Sequence, residues 1–344
     1  MLKTGSVGLL VFFLSFCSYS YAQDTLWQQY TGHFVSDEGR VIDYYQGSVS
    51  HSEGQGYGML LAVLNDDKPA FDKIWQWTKN NLCVRKDNLL AWLWGKRQNG
   101  EWKVIDYNNA TDGDILVAFA LLRAQKKWGA GSYDAEALKI IKAIRKEVAF
   151  SWQGRIFLLP GYYGFAVKDG AVISPSYFVF PAYKLFAEVD DKSFWEKVYG
   201  DAKFFLSRAV FSSYRLPSDW VSLSNSDFSI SKERSVNFGY EAIRVPLYLS
   251  MEENHQFPEG INALPSIYKK NGYVPLWVRL TDGAVSSQQA PAGFYAVYSV
   301  VEKKNQDEAL AKELFEKAKE KLLGEKDDYY SFTLYLLAKG DSAD

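Results

Sequence analysis

The amino-acid sequence predicts an all-α fold, a closed double ring of about twelve helices with small β-hairpins in its loops. Two patterns point there: apolar residues recur at helical spacing along most of the chain, and strongly apolar helices alternate with charged, amphipathic ones. Helix 306–323 is rich in Lys and Glu and needs one face against a core. Helix 112–124 is apolar around most of its circumference and needs cover on every side. An inner and an outer ring supply both environments. An α-solenoid satisfies the same periodicity, so the topology stays open on this evidence.

Residues 1–22 read as a signal peptide and are set aside. They carry a basic start (Lys3), an apolar run from Val7 to Phe16 too short to span a membrane, and small residues before a cleavage point after Ala22. The mature chain, 23–344, then reads as one large domain, because no Pro/Gly/Ser-rich linker divides it. Removing the leader takes away Lys3 and no acid, leaving 38 of the 39 Lys and Arg against 41 Asp and Glu, a net charge of −3. Near-neutrality argues against nucleic acid as a partner. Cys17 leaves with the leader, so Cys83 is the lone thiol and an internal disulfide is excluded. His33, His51 and His255 are scattered singly, which gives no metal cluster and no cofactor site.

The helical stretches follow in order: 25–35, 57–65, 68–82, 112–124, 135–149, 176–188, 191–210, 235–250, 258–270, 290–302, 306–323 and 327–338. Turn residues separate them, as in Gln98-Asn99-Gly100, Gln153-Gly154-Arg155 and Lys168-Asp169-Gly170. Short β-like runs at Arg155 to Leu159 and Ala171 to Ile173 flank two of these turns. Pro246 lacks an N–H and crowds the preceding turn, so helix 235–250 starts late or kinks.

Three acidic sites stand out. Ser52-Glu53-Gly54-Gln55-Gly56-Tyr57-Gly58 places three glycines in five residues, which predicts a tight turn into a helix beginning near Tyr57. Its spacing is not that of a phosphate-binding loop. Alone, Glu53 reads as a helix cap as readily as a catalyst. Asn108-Asn109-Ala110-Thr111-Asp112-Gly113-Asp114 offers more polar groups at a helix start than one cap requires. In Asn237-Phe238-Gly239-Tyr240-Glu241-Ala242-Ile243-Arg244, Arg244 is spaced to pair with Glu241 on one helix face. An aromatic content of 16%, with 11 Trp and 23 Tyr, suits a carbohydrate groove as well as a ring-rich core.

These residues resemble the cellulase-type glycoside hydrolases of family 8. The run Ala110 to Asp114, with Ala118, Ala120-Leu121-Leu122, Ala124 and Trp128, matches that family's signature apart from Val117. Ser52 to Gly58 matches its acid motif, and Ser174-Pro175-Ser176-Tyr177 and Pro217-Ser218-Asp219-Trp220 match later landmarks. The resemblance runs along essentially the whole mature chain and is nearest to the periplasmic endoglucanases that accompany bacterial cellulose synthesis. It implies an (α/α)6 barrel, β-1,4-glucan as substrate, hydrolysis with inversion, and no metal. It implies Glu53 as proton donor with a raised pKa, Asp112 as the residue holding the sugar at the cleavage point, and Glu241 as base. Glu241 departs from the usual Asp, and Asp219 is the reserve candidate.

Substrate contacts are expected from Trp94, Tyr177, Tyr240 and Trp220, with Asp114 in support. Trp94 and Tyr177 lead a wider set that includes Trp92, Trp102, Phe294 and Tyr295. The resulting expectation is an exported endoglucanase, periplasmic or secreted, monomeric, without an integral membrane segment after signal removal, working beside a cellulose synthase complex. The alternatives are a non-catalytic glucan-binding protein of the same fold, a chitosanase, lichenase or xylanase of the family, and a protein-binding solenoid.

Overall fold

The computed structural model describes residues 25–129, 132–224, 227–252 and 256–341. The signal peptide expected over 1–22, and the mature start at Gln23, lie outside them. Thirteen α-helices occur among the described residues: α1 (Leu26–Phe34), α2 (Ser52–Leu64), α3 (Lys68–Asn81), α4 (Thr111–Trp128), α5 (Tyr133–Glu147), α6 (Phe180–Val189), α7 (Lys192–Arg208), α8 (Arg244–Ser250), the single-turn α9 (Glu259–Asn262), α10 (Leu264–Asn271), α11 (Ala292–Lys304), α12 (Glu308–Leu322) and α13 (Tyr329–Asp341).

Six of them form the inner ring. α2 packs on α4, α4 on α6, α6 on α8, α8 on α11, α11 on α13, and α13 returns to α2. That last contact closes the ring and excludes an open solenoid. α1, α3, α5, α7, α10 and α12 lie outside, each against an inner neighbour. Burial follows this arrangement. Every residue of α4 from Thr111 to Leu122 is buried, whereas α12 buries only the stripe Leu310, Ala311, Leu314, Ala318 and Leu322. A fully buried Leu, Ile or Phe contributes about 1.5–3 kcal/mol, so the all-round burial of the inner helices dominates the stability of the barrel.

Proline sets several helix starts. The stretch 176–188 divides into a 3-10 turn (Pro175–Tyr177) and α6, with Pro181 in the first turn of α6, where a missing N–H costs nothing. The helix expected over 235–250 begins only at Arg244. Pro246 lies in its first turn, and Asn237–Phe238 forms a short strand paired with Val278–Arg279. Hairpins decorate the loops: Ala149–Trp152 pairs with Arg155–Leu158, and Leu93–Lys96 pairs with Trp102–Asp106 and with Ser50–His51. The strand Gly170–Ile173 joins a four-stranded sheet. The starts of α2, α4, α8 and α13, and the turn before α6, meet around one cleft of about 470 Å³.

Candidate active site

The glycines of the first acidic motif do not form a turn. α2 begins at Ser52, so Gly54, Gly56 and Gly58 all lie inside the helix, and none has a positive φ. Their role is close approach. A Cβ on Gly56 would come within 2.6 Å of Leu116 Cβ, and one on Gly113 within 2.1 Å of Ser52 Oγ and 2.7 Å of the Glu53 backbone nitrogen. α2 and α4 therefore cross almost backbone to backbone, and the crossing sets Glu53 beside Asp112. Neither acid is an N-cap. His51 caps α2, Ala110 holds that position in α4, and both carboxylates stand in first turns, where the positive end of the helix dipole faces them.

Arg244, in the first turn of α8 and 2% exposed, joins the acids. Its Nη1 donates to Glu53 Oε2 and to Asp112 Oδ2 (2.9 Å), and its Nη2 donates to Glu241 Oε2 and to Ser176 Oγ (3.1 Å). The i, i+3 pair read from the sequence is thus one arm of a four-partner hub. Because Glu53 and Glu241 are bound to the two ends of one guanidinium, their nearest oxygens are no more than about 8 Å apart, two hydrogen bonds of about 3 Å plus the width of the group. Burial, and then the charge of Glu53, push the Asp112 carboxyl up to about 7, with Arg244 acting in the opposite direction.

Glu241 lies in the turn before α8, its side chain 34% exposed against 18% for Glu53. Asp219, the reserve base, does not line the cleft. It is buried, and its Oδ1 accepts from the Gly239 and Ala242 backbone N–H groups (2.9 Å each), its Oδ2 from Ser235 Oγ (2.8 Å). It clamps the turn that carries Glu241. Burial raises its carboxyl to about 6 against those bonds. Ser174 extends the clamp: its hydroxyl donates to the Asp219 carbonyl (2.9 Å) and touches Ser176 Oγ (2.6 Å).

Of the residues singled out from sequence, the structure brings Glu53, Asp112, Glu241, Tyr177, Tyr240 and Trp92 into one cleft. Asp114, Trp94 and Trp220, like Trp102, Phe294 and Tyr295, do not line it. Asp114 is wholly buried, and its oxygens are taken by the Leu90 N–H and the Asn109 amide (2.7 Å each), so it braces the loop before α4 and has no room for substrate. Burial holds its carboxyl up at about 8. Trp94 stacks on Trp102 (5.4 Å between centroids) under the Arg40 guanidinium. A register shift between Leu93 and Trp94 breaks the strand alternation, and Trp92 lines the cleft instead. Trp220 stands behind Tyr177, covered by Phe165 and Arg234.

Sequence reasoning missed Asp43, His51 and Tyr45, and the run Asp328-Tyr329-Tyr330 at the start of α13, all of which line the cleft. Asp328 carries the signal that marked Asp112, an acid at the start of a predicted helix. Among the described residues, no group of three or more His, Cys, Asp or Glu is placed to hold a metal, and no helix is long and apolar enough to cross a membrane.

The family model described as glycosyl hydrolases family 8 matches residues 3–343. An endoglucanase of Cellulomonas uda is 36% identical over 279 residues, 79% of this chain and 76% of that protein. A probable endoglucanase of Novacetimonas hansenii is 34% identical over 276 residues, 79% of this chain and 80% of that protein. Among solved structures, a GH8 endo-β-1,4-glucanase from an Achatina fulica gut metagenomic library superposes with a TM-score of 0.82 at 35% identity, covering 94% of this chain and 98% of that one.

Proposed function

The chain belongs to glycosyl hydrolase family 8, and from that premise we propose that it cleaves internal bonds of β-1,4-glucan with inversion, using Glu53, Asp112 and Glu241. One observation carries the assignment of residues: all three carboxylates line a single cleft and share the guanidinium of Arg244.

Glu53 donates its proton to the departing glycosidic oxygen, and Glu241 takes a proton from water attacking the opposite face of the ring. Their roles suit their settings. Glu53 sits on a rigid crossing beside Asp112, and Glu241 faces solvent from which a water enters. Asp112, between Arg244 and the α4 backbone, accepts hydrogen bonds from the sugar at the cleavage point that strengthen as positive charge develops on the ring. Tyr240 beside Glu241 orients the water, and Tyr177 and Trp92 flank the sugar. Glu241 has one methylene more than the family's usual Asp. Its anchors on Arg244 and Ser176 hold that longer side chain in place.

The deciding experiment incubates the protein with carboxymethyl cellulose and follows the anomer of the new reducing ends by NMR. Release of the α-anomer, lost in Glu53→Gln and Glu241→Gln, supports the reading. Binding without product makes the protein a glucan-binding relative with an impaired base. A panel with chitosan, mixed-linkage glucan and xylan separates the family's other substrates. The leader-like residues 1–22 support export to the periplasm or beyond the cell, and we read the mature protein as a monomer working beside a cellulose synthase complex. Fractionation and co-purification test that placement.

A further inference from the structure

His51 occupies an unusual position for its residue type. It is the N-cap of α2, where Ser, Thr, Asp or Asn ordinarily accepts from the first free N–H groups. Here the acceptor is the ring: the Gly54 N–H donates to Nδ1 at 3.2 Å. A ring nitrogen accepts only when it carries no proton. The proton of the neutral ring is therefore on Nε2, which lies 3.3 Å from Asp43 Oδ2. Asp43 is fixed independently, because it also accepts from the backbone N–H groups of Tyr45 (3.0 Å) and Gln46 (3.2 Å) and from the Gln46 amide (2.9 Å). The ring has no slack either. It packs edge-on against Tyr329, and a Cβ on Gly54 would meet both its Nδ1 and the Tyr329 hydroxyl at 3.2 Å.

We propose that His51 is a positioning residue for Glu53, competent only as the neutral Nε2–H tautomer, so that protonation of its ring releases the first turn of α2 and switches hydrolysis off. The proposal rests on the reading of Glu53 as the acid. Glu53 sits between the two residues that the ring joins, so a displaced cap displaces its backbone. A second proton on the ring points an N–H at the Gly54 N–H, and two donors cannot share that contact.

The groups facing the ring are Asp43 from the preceding loop, Glu53 on its own helix, Asp112 from α4 and Tyr329 from α13, with Asp328 beyond Asp43. Burial opposes the second proton. The Asp43 hydrogen bond and the charges of Glu53, Asp43 and Asp112 outweigh it, so the ring's pKa is raised. The acid-side loss therefore reaches closer to neutrality than an isolated imidazole would allow.

The test compares His51→Ala with His51→Asn, whose amide oxygen keeps an acceptor at the cap and does not titrate. His51→Ala is expected to lower kcat by about tenfold or more with KM unchanged, since displacing a reacting group by about 1 Å costs up to 10²-fold. His51→Asn is expected to restore kcat and to hold it below the pH at which the native enzyme fails. Imidazole nitrogen shifts should place the His51 proton on Nε2. A native kcat in His51→Ala, a native acid limb in His51→Asn, or a proton on Nδ1 overturns the proposal. The parent reading fails separately, if Glu53→Gln hydrolyses glucan normally.

Discussion

The two halves of the cleft are built in opposite ways. The half that holds Glu53 is backbone against backbone: Glu53 and Asp112 stand in the first turns of two helices whose glycines let them touch. The half that holds Glu241 is a turn. Residues 239–242 follow a two-residue strand, Glu241 is one-third exposed, and Asp219 clamps the turn through two N–H groups. A proton donor needs a fixed, dry setting to keep its proton, whereas a base must meet water that comes and goes. The difference in construction matches the roles proposed for Glu53 and Glu241.

The largest expected effect breaks the comparison if it fails. Glu53→Gln and Glu241→Gln should each lower kcat on carboxymethyl cellulose by roughly 10²–10⁴-fold, the range for general acid–base groups, with folding intact by circular dichroism. They should separate on an aryl cellobioside whose leaving group needs no protonation. Glu53→Gln recovers much of its rate there, and Glu241→Gln recovers none.

Next comes Gly113→Ala. Its methyl group would collide with Ser52 Oγ and the Glu53 backbone, so α2 and α4 must separate. Overpacking of this kind costs about 1–3 kcal/mol, read as a lowered Tm, and kcat should fall with it. Asp219→Ala tests the other half. It strands the Gly239 and Ala242 N–H groups, at about 1–3 kcal/mol for each that stays buried, and should lower kcat while leaving glucan affinity by calorimetry unchanged.

A smaller effect is in the pH dependence of stability. Burial raises Asp112 to about 7 and Asp114 to about 8. Between the ordinary carboxylate range and those values the folded state binds more protons than the unfolded one, so this contribution is complete at low pH and is lost as pH rises through about 7–8. Tm should decline across that window, and Asp114→Asn should flatten the decline. Smallest of all, Trp94→Ala should leave kcat/KM unchanged, because the ring packs on Trp102 and Arg40 away from the cleft.

Much of the barrel is legible in the sequence because inner and outer helices differ in how much of their circumference is apolar. Closure is not, since it depends on α13 meeting α2 across nearly the whole chain. Glu53 and Asp112 can be read from motifs. The reason for their glycines cannot, because a tight turn and a close helix crossing ask for the same residue. Trp92 and Trp94 look interchangeable until the register shift between Leu93 and Trp94 turns one of them away. Asp219 looks like a second base because an acid beside Trp in a proline-containing loop carries no mark of the N–H groups it accepts.

For anyone stabilising this protein, the glycine crossing reverses a standard rule. Exchanging a helical glycine for alanine ordinarily helps, by about 0.4–1 kcal/mol, because it restricts the unfolded chain. At Gly56 and Gly113 that exchange would push apart the helices that carry Glu53 and Asp112. These two positions are best left out of any thermostability library, since the missing methyl groups set the distance between Glu53 and Asp112.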